Sequence, residues 1–128
     1  MHGERFTIEI EPEVRLWLES LLPHHYVIAE QKVDRLAAHA TTLGEPYSRH
    51  LGGKLRELRF DLGDNAQRIT YWLAPDRRVV LLTVFRKTRM RETSEVERAL
   101  AAQEVCEASH EPAAEHEVCS RPVKEELR

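Results

Sequence analysis

The sequence predicts an α+β domain: an N-terminal strand and two helices, a three-stranded antiparallel meander, and a closing helix. Three observations carry that prediction. Apolar residues alternate with polar ones around residues 6–10, 57–62 and 68–73, the period of a strand with one buried face. Apolar residues from Val14 to Leu43 instead recur at helical spacing. Between Val79 and Phe85 every residue but Thr83 is apolar, which fits an interior strand covered on both faces.

Phe6, Ile8 and Ile10 form the inward set of the first strand. Pro12 suits a first helical turn, and Val14, Trp17, Leu18 and Leu21 then line one side of a short helix until Pro23. Trp17 is read as core. Tyr26, Ala29, Val33, Leu36, Ala37, Ala40 and Leu43 continue a longer second helix, antiparallel to the first, with Gly44 placed to end it. Glu45-Pro46 opens a loop through Gly52-Gly53. Leu58, Phe60 and Leu62 then alternate with Glu57, Arg59 and Asp61, and Gly63-Asp64-Asn65 turns the chain into a strand with Arg68, Thr70 and Trp72 on one side. Tyr71 falls on the opposite side with Ile69, where a core position is expected. After Ala74-Pro75-Asp76 comes the interior strand. Ser94-Glu95-Val96-Glu97 has capping-box spacing for a last helix reaching about Glu107. The helices are expected on one sheet face, leaving polar meander residues on the other.

The chain of 128 residues is 41% hydrophobic and 32% charged, the composition of one soluble domain. We place that domain at residues 1–110 and expect a polar, disordered tail at 111–128, which holds five glutamates and two prolines. No apolar run approaches the ~18 residues of a membrane span, and Met1-His2-Gly3-Glu4-Arg5 lacks the apolar stretch of a signal peptide. Two cysteines make no disulfide framework. A cytoplasmic protein with no membrane contact is the expectation. Cys106, His110, His116 and Cys119 are of zinc-binding types, but their spacing is irregular and no metal site is assigned. His24 and His25 are adjacent and read as solvated.

The net charge of -3 hides a cationic island. Residues 44–91 hold 11 basic and 5 acidic side chains, mostly arginine among the basic ones. Guanidinium groups fork onto phosphate and stack on bases, so nucleic acid is the partner this composition favours.

Three segments of the island form an ordered pattern: Lys54-Leu55-Arg56-Glu57-Leu58-Arg59-Phe60, then Arg68-Ile69-Thr70-Tyr71-Trp72, then Leu81-Leu82-Thr83-Val84-Phe85-Arg86-Lys87-Thr88. Over about residues 5–108 the chain resembles the RelE/ParE superfamily of toxins, closest to its HigB-type, phage-derived branch. The resemblance implies a RelE-like fold and a toxin of a type II toxin-antitoxin system. It further implies an endoribonuclease that cleaves messenger RNA on the ribosome and so inhibits translation. A cognate antitoxin with a helix-turn-helix domain would hold it silent. One branch of the superfamily instead poisons DNA gyrase, so a ParE-like inhibitor without nuclease activity is the alternative, as is an RNA-binding module that has lost catalysis.

Cleavage of RNA through its own 2′-hydroxyl requires removal of a proton, stabilisation of phosphoryl charge and protonation of the leaving 5′ oxygen. Residues 51–109 contain no histidine, and no cofactor is implied. Arginine is a fixed cation, so Arg68 and Arg86 are expected to stabilise phosphate charge. Glu57 and Lys87 are the proton-transfer candidates. Lys87 is preferred, because neighbouring arginines favour a lysine that releases its proton and keep a carboxylate ionised and weakly basic. Lys54, Arg56, Arg59 and Arg89 are expected to contact RNA. Trp72 either stacks on a base or caps the sheet edge. Arg77 and Arg78, in a turn, are solvated or steer phosphate. Strand parity puts Glu57 with Arg59 and Arg68 with Trp72, and sets Arg86 and Lys87 on opposite faces of a regular strand, which a twist or bulge would reconcile.

Overall fold

The computed structural model describes residues 5–88 and 92–109. Five strands form one mixed sheet in the order β1-β5-β4-β3-β2. β1 (Thr7–Ile10) is parallel to β5 (Arg78–Arg86), while β2 (Ser48–Gly52), β3 (Leu55–Leu62), β4 (Asn65–Ala74) and β5 pair antiparallel. The expected strands and helices are all present, and the sheet has one strand more than the sequence predicts.

That additional strand is β2, on the edge. Its Arg49 and His50 are exposed, and its pairing with β3 is irregular between His50 and Gly52. An edge strand has one bonded side and needs no apolar alternation, so periodicity does not reveal it.

Prolines start both early helices. α1 (Pro12–Glu19) and α2 (Pro23–Ala38) each carry proline in their opening positions, where its missing N–H costs nothing. The second helix is shorter than its apolar spacing predicts. His39 leaves helical geometry at φ -130°, yet its carbonyl still accepts the amides of Thr42 and Leu43. This turn keeps Ala40 buried and Leu43 against the core, preserving the helical spacing beyond the helix itself.

Helices cover both sheet faces, in contrast to the one-sided expectation. Val14, Leu18, Tyr26, Val33 and Leu36 from α1 and α2 pack on Leu58, Phe60, Ile69, Tyr71 and Leu81. On the opposite face α3 (Thr93–Ala108) brings Ala99 and Cys106 onto Leu55, Trp72, Val80 and Leu82. The apolar run in β5 is the reason: both of its faces must be covered. Tyr71 is core, as parity predicts, and its hydroxyl is 2.6 Å from Ser48 Oγ. Trp17, half-buried, packs against the same core and meets Phe60 edge-on.

The capping box at Ser94 does not form. Helix α3 begins one residue earlier, after Glu92, without a side-chain cap. Arg98 ties α3 to α1 with two hydrogen bonds to Glu13, at 2.6 and 3.1 Å. Arg89 and the tail from residue 110, with its histidines and Cys119, lie outside the described residues. None of the described helices is long and apolar enough to cross a membrane.

Candidate nucleic-acid interface

α3 covers only part of its sheet face. Beyond it, Glu57 stands opposite Thr70, and Arg59 opposite Arg68. Directly opposed residues of antiparallel strands point to the same side, so two guanidinium groups and a carboxylate share one small surface. Glu57 Oε2 is 3.4 Å from Arg59 Nε and 3.7 Å from Arg68 Nε. Glu57 is only 2% exposed and Arg68 8%, whereas Arg59 is 21% exposed and opens toward solvent.

A bulge in β5 selects the fourth member. Thr70 pairs with Thr83 but the next residue, Tyr71, pairs with Leu81, so Leu82 is an extra residue in β5. Val80 and Leu82 face α3. After the bulge Thr83 and Phe85 take that side, opposite Thr70 and Arg68. Lys87, whose amide donates to Ala66 at 2.8 Å, continues the series. Arg86 turns to the other face, pairs in register with Gln67, and donates to Asn65 Oδ1 at 3.1 Å. A hydroxyl pair, Thr70 and Thr83 at 2.6 Å, lies at the bulge.

Burial raises the Glu57 carboxyl above the ordinary glutamate range, against the pull of Arg68 and Arg59. This reverses the sequence expectation of a carboxyl shifted downward by its arginines: loss of hydration outweighs the cations. Burial likewise lowers Arg68, and the like charge of Arg59 adds to it. Glu57 Oε1, Arg59 Nε and Arg68 Nε have no hydrogen-bond partner, so the three groups attract without close contact and retain unused bonding capacity.

Glu92, just before α3, reaches the same surface. Its carboxylate is 2.5 Å from Lys87 Nζ, and its charge bears on both Glu57 and Arg68. Lys87 is therefore countered by an acid and does not stand among arginines alone. Sequence reading missed Glu92, because it belongs to a different element. It also missed Arg49, which stands opposite Glu57 from the unforeseen β2.

The other sequence candidates are dispersed. Trp72 is 2% exposed beneath α3, so as folded it neither stacks on a base nor caps an edge. Lys54 is ion-paired to Glu107 of α3 and lies 5.9 Å from the centre of the Trp72 ring. Arg56 stands opposite Tyr71, on the α1–α2 side of the sheet. Arg78 is buried in an ion pair with Glu9 at 3.0 Å, and Arg77 lies over the Phe6 ring. Both of these arginines fasten the β4–β5 turn to β1, with the Arg77 carbonyl also accepting the Thr7 amide.

Comparison with known proteins agrees with this architecture. The family model described as phage-derived protein Gp49-like (DUF891) matches residues 16–105, from within α1 to near the end of α3. The chain belongs to the Gp49-like family. This Gp49-like chain also has the fold of the E. coli toxin RelE, solved as a mutant in the free state. The two superpose with a TM-score of 0.53 at 14% identity, over 79% of this chain and 97% of RelE. No curated protein matches the sequence significantly. The kinship implied by the three island segments thus holds at the level of a RelE-like fold.

Proposed function

We propose that this Gp49-like chain is the toxin of a type II toxin-antitoxin system, of HigB type, and that it cleaves messenger RNA on the ribosome. The observation that carries the reading is the Arg59–Arg68 pair, held side by side on one sheet face by a buried Glu57. Neighbouring guanidinium groups match a phosphate that gains charge as the 2′-hydroxyl attacks. Arg59, the more exposed of the two, is the one an incoming phosphate meets first.

In this reading Arg59 and Arg68 bind the scissile phosphate and stabilise its added charge. Lys87, at the exposed margin, gives its ammonium proton to the leaving 5′ oxygen once RNA draws the side chain from Glu92, while the proton of the attacking 2′-hydroxyl passes to water. Glu57 is a positioning residue: it is too deeply buried to meet a 2′-hydroxyl, and its carboxylate fixes the two arginines. Arg86, Arg56, Lys54 and Trp72 take no part in the chemical step. The partners are messenger RNA and an antitoxin whose acidic segment covers the cationic surface, and the setting is the cytoplasm.

The pairing of Lys87 with Glu92 favours a second reading, in which the surface binds RNA without cutting it. Expression of the wild-type chain with and without the gene beside it separates the readings. Shortened messages, rescued by a co-purifying helix-turn-helix protein, support the nuclease. Intact messages with inhibited supercoiling support a gyrase-directed inhibitor, and intact messages with salt-sensitive RNA binding support a binding module.

A further inference from the structure

A cleft of about 470 Å³ adjoins the arginine pair at the edge of the sheet. Arg59 and Arg68 form part of its wall, and Lys32 of α2, Tyr47, Phe60 and Asp61 are among the other lining residues. Its place follows from the topology. β2 begins at Ser48, opposite Leu58, so β3 continues past the end of its neighbour and leaves an opening between sheet edge and α2.

Tyr47 is the unusual side chain there, an aromatic ring 44% exposed. Its position is nevertheless fixed. Its carbonyl accepts the Arg59 amide at 2.9 Å, its own amide donates to Gly44, and the Arg35 guanidinium lies 4.4 Å from the ring centre. Arg35 does not line the cleft. An exposed aromatic side chain at a cleft wall, with a cation over its ring, has the make-up of a stacking platform.

We propose that this cleft is a nucleobase subsite: the base of a single-stranded RNA stacks on Tyr47 while its adjoining phosphate is held by Arg59 and Arg68. The inference rests on the RNA-directed reading above and adds to it a base-binding residue. The volume suits one nucleotide, since small-molecule sites span about 300–1,000 Å³. Phe60 supplies an apolar wall, Lys32 a second cation for the backbone, and Asp61 an acceptor for N–H groups on a base edge. The backbone bond between Tyr47 and Arg59 fixes the stacking ring relative to the phosphate grip.

The test is equilibrium binding of a short single-stranded RNA, 2′-O-methylated to prevent cleavage, and of the same backbone carrying abasic sites. Wild-type chain is expected to bind the intact RNA about tenfold or more tightly than the abasic one, the range of one stacked base. Tyr47→Ala is expected to lose that preference while keeping its abasic affinity, and Tyr47→Trp to keep the preference and change its fluorescence on binding. Thermal melts confirm that both variants fold. Equal binding of the two RNAs by wild type, or an undiminished preference in Tyr47→Ala, overturns the subsite and leaves the RNA reading standing. Absence of all RNA binding and cleavage overturns both. Displacement of the Tyr47→Trp signal by a protein partner alone, never by RNA, assigns the cleft to a peptide and also overturns the proposal.

Discussion

Arg68 and Glu57 form an ion pair at 3.7 Å in which the two side chains are only 8% and 2% exposed. Neither group is fully hydrated and their mutual contact is long, although Arg68 Nη1 also donates to the Gln67 carbonyl at 3.0 Å, so the pair contributes less to folding than to placing a guanidinium. Removing one partner is costly because it strands the other's charge. Glu57→Ala is expected to lose about 3 kcal/mol of stability, while Glu57→Leu combined with Arg68→Met loses much less than the sum of its singles. Urea denaturation of wild type, Glu57→Leu, Arg68→Met and their double measures this coupling, with Glu57→Ala measured alongside.

The same burial gives a pH dependence with a definite sign. Glu57 is raised above its ordinary value of 4.5 in the folded chain, so the folded state holds its proton more tightly than the unfolded state does. Its contribution is fully present below the unfolded value and is lost as pH rises through the folded one. Wild type should therefore lose stability relative to Glu57→Gln as pH increases above the ordinary value. Denaturation of both proteins between about pH 4 and 8 checks the direction; a constant difference contradicts it.

The β5 bulge makes Lys87 and Arg86 unequal. Lys87→Ala is expected to reduce message cleavage by roughly 100-fold or more, the scale of a proton-transfer group. Arg86→Ala, on the opposite face, should remain within a fewfold of wild type. Rates of message loss after induction distinguish them.

Glu92 holds Lys87 at 2.5 Å and thereby occupies a cation that the proposed RNA contact needs. Glu92→Gln should bind blocked single-stranded RNA several-fold more tightly, with a salt dependence steeper by less than about one counterion. Unchanged affinity and slope in a folded variant argue against that competition.

Trp72 belongs to the second core, not to the proposed RNA surface. Trp72→Ala is expected to cost about 3–5 kcal/mol, as for other large buried side chains, with RNA affinity preserved in the folded fraction. Thermal melts alongside binding separate the two effects.

Much of the fold is legible because short-range periodicity reports burial. Leu58, Phe60 and Leu62 alternate as a one-faced strand, and the run from Val79 announces a strand covered twice. That run calls for cover on both faces, which the expectation of helices on one face leaves unmet, and α3 supplies the second cover. Of the site, Arg59 and Arg68 are legible as candidates through the ordered segments, while their standing opposite each other follows from the β3–β4 register. The rest depended on longer-range geometry. Nothing local marks the extra residue at Leu82 that turns Lys87 toward Arg68 and Arg86 away. Glu92 arrives from another element, and Tyr47 becomes notable only once β2 is known to start beside it. Trp72 looked available because Arg68 and Thr70 share its strand face, but α3 covers that face at Trp72 and stops short of Arg68.

The central claim is that Arg59 and Arg68 jointly hold a scissile phosphate, and mapping 5′ ends on a message in a reconstituted translation system tests it most directly. Wild type is expected to generate discrete new ends, while folded Arg59→Ala and Arg68→Ala generate almost none and Arg86→Ala retains them. An intact message with folded wild-type protein, or cleavage undiminished in both arginine variants, would contradict it.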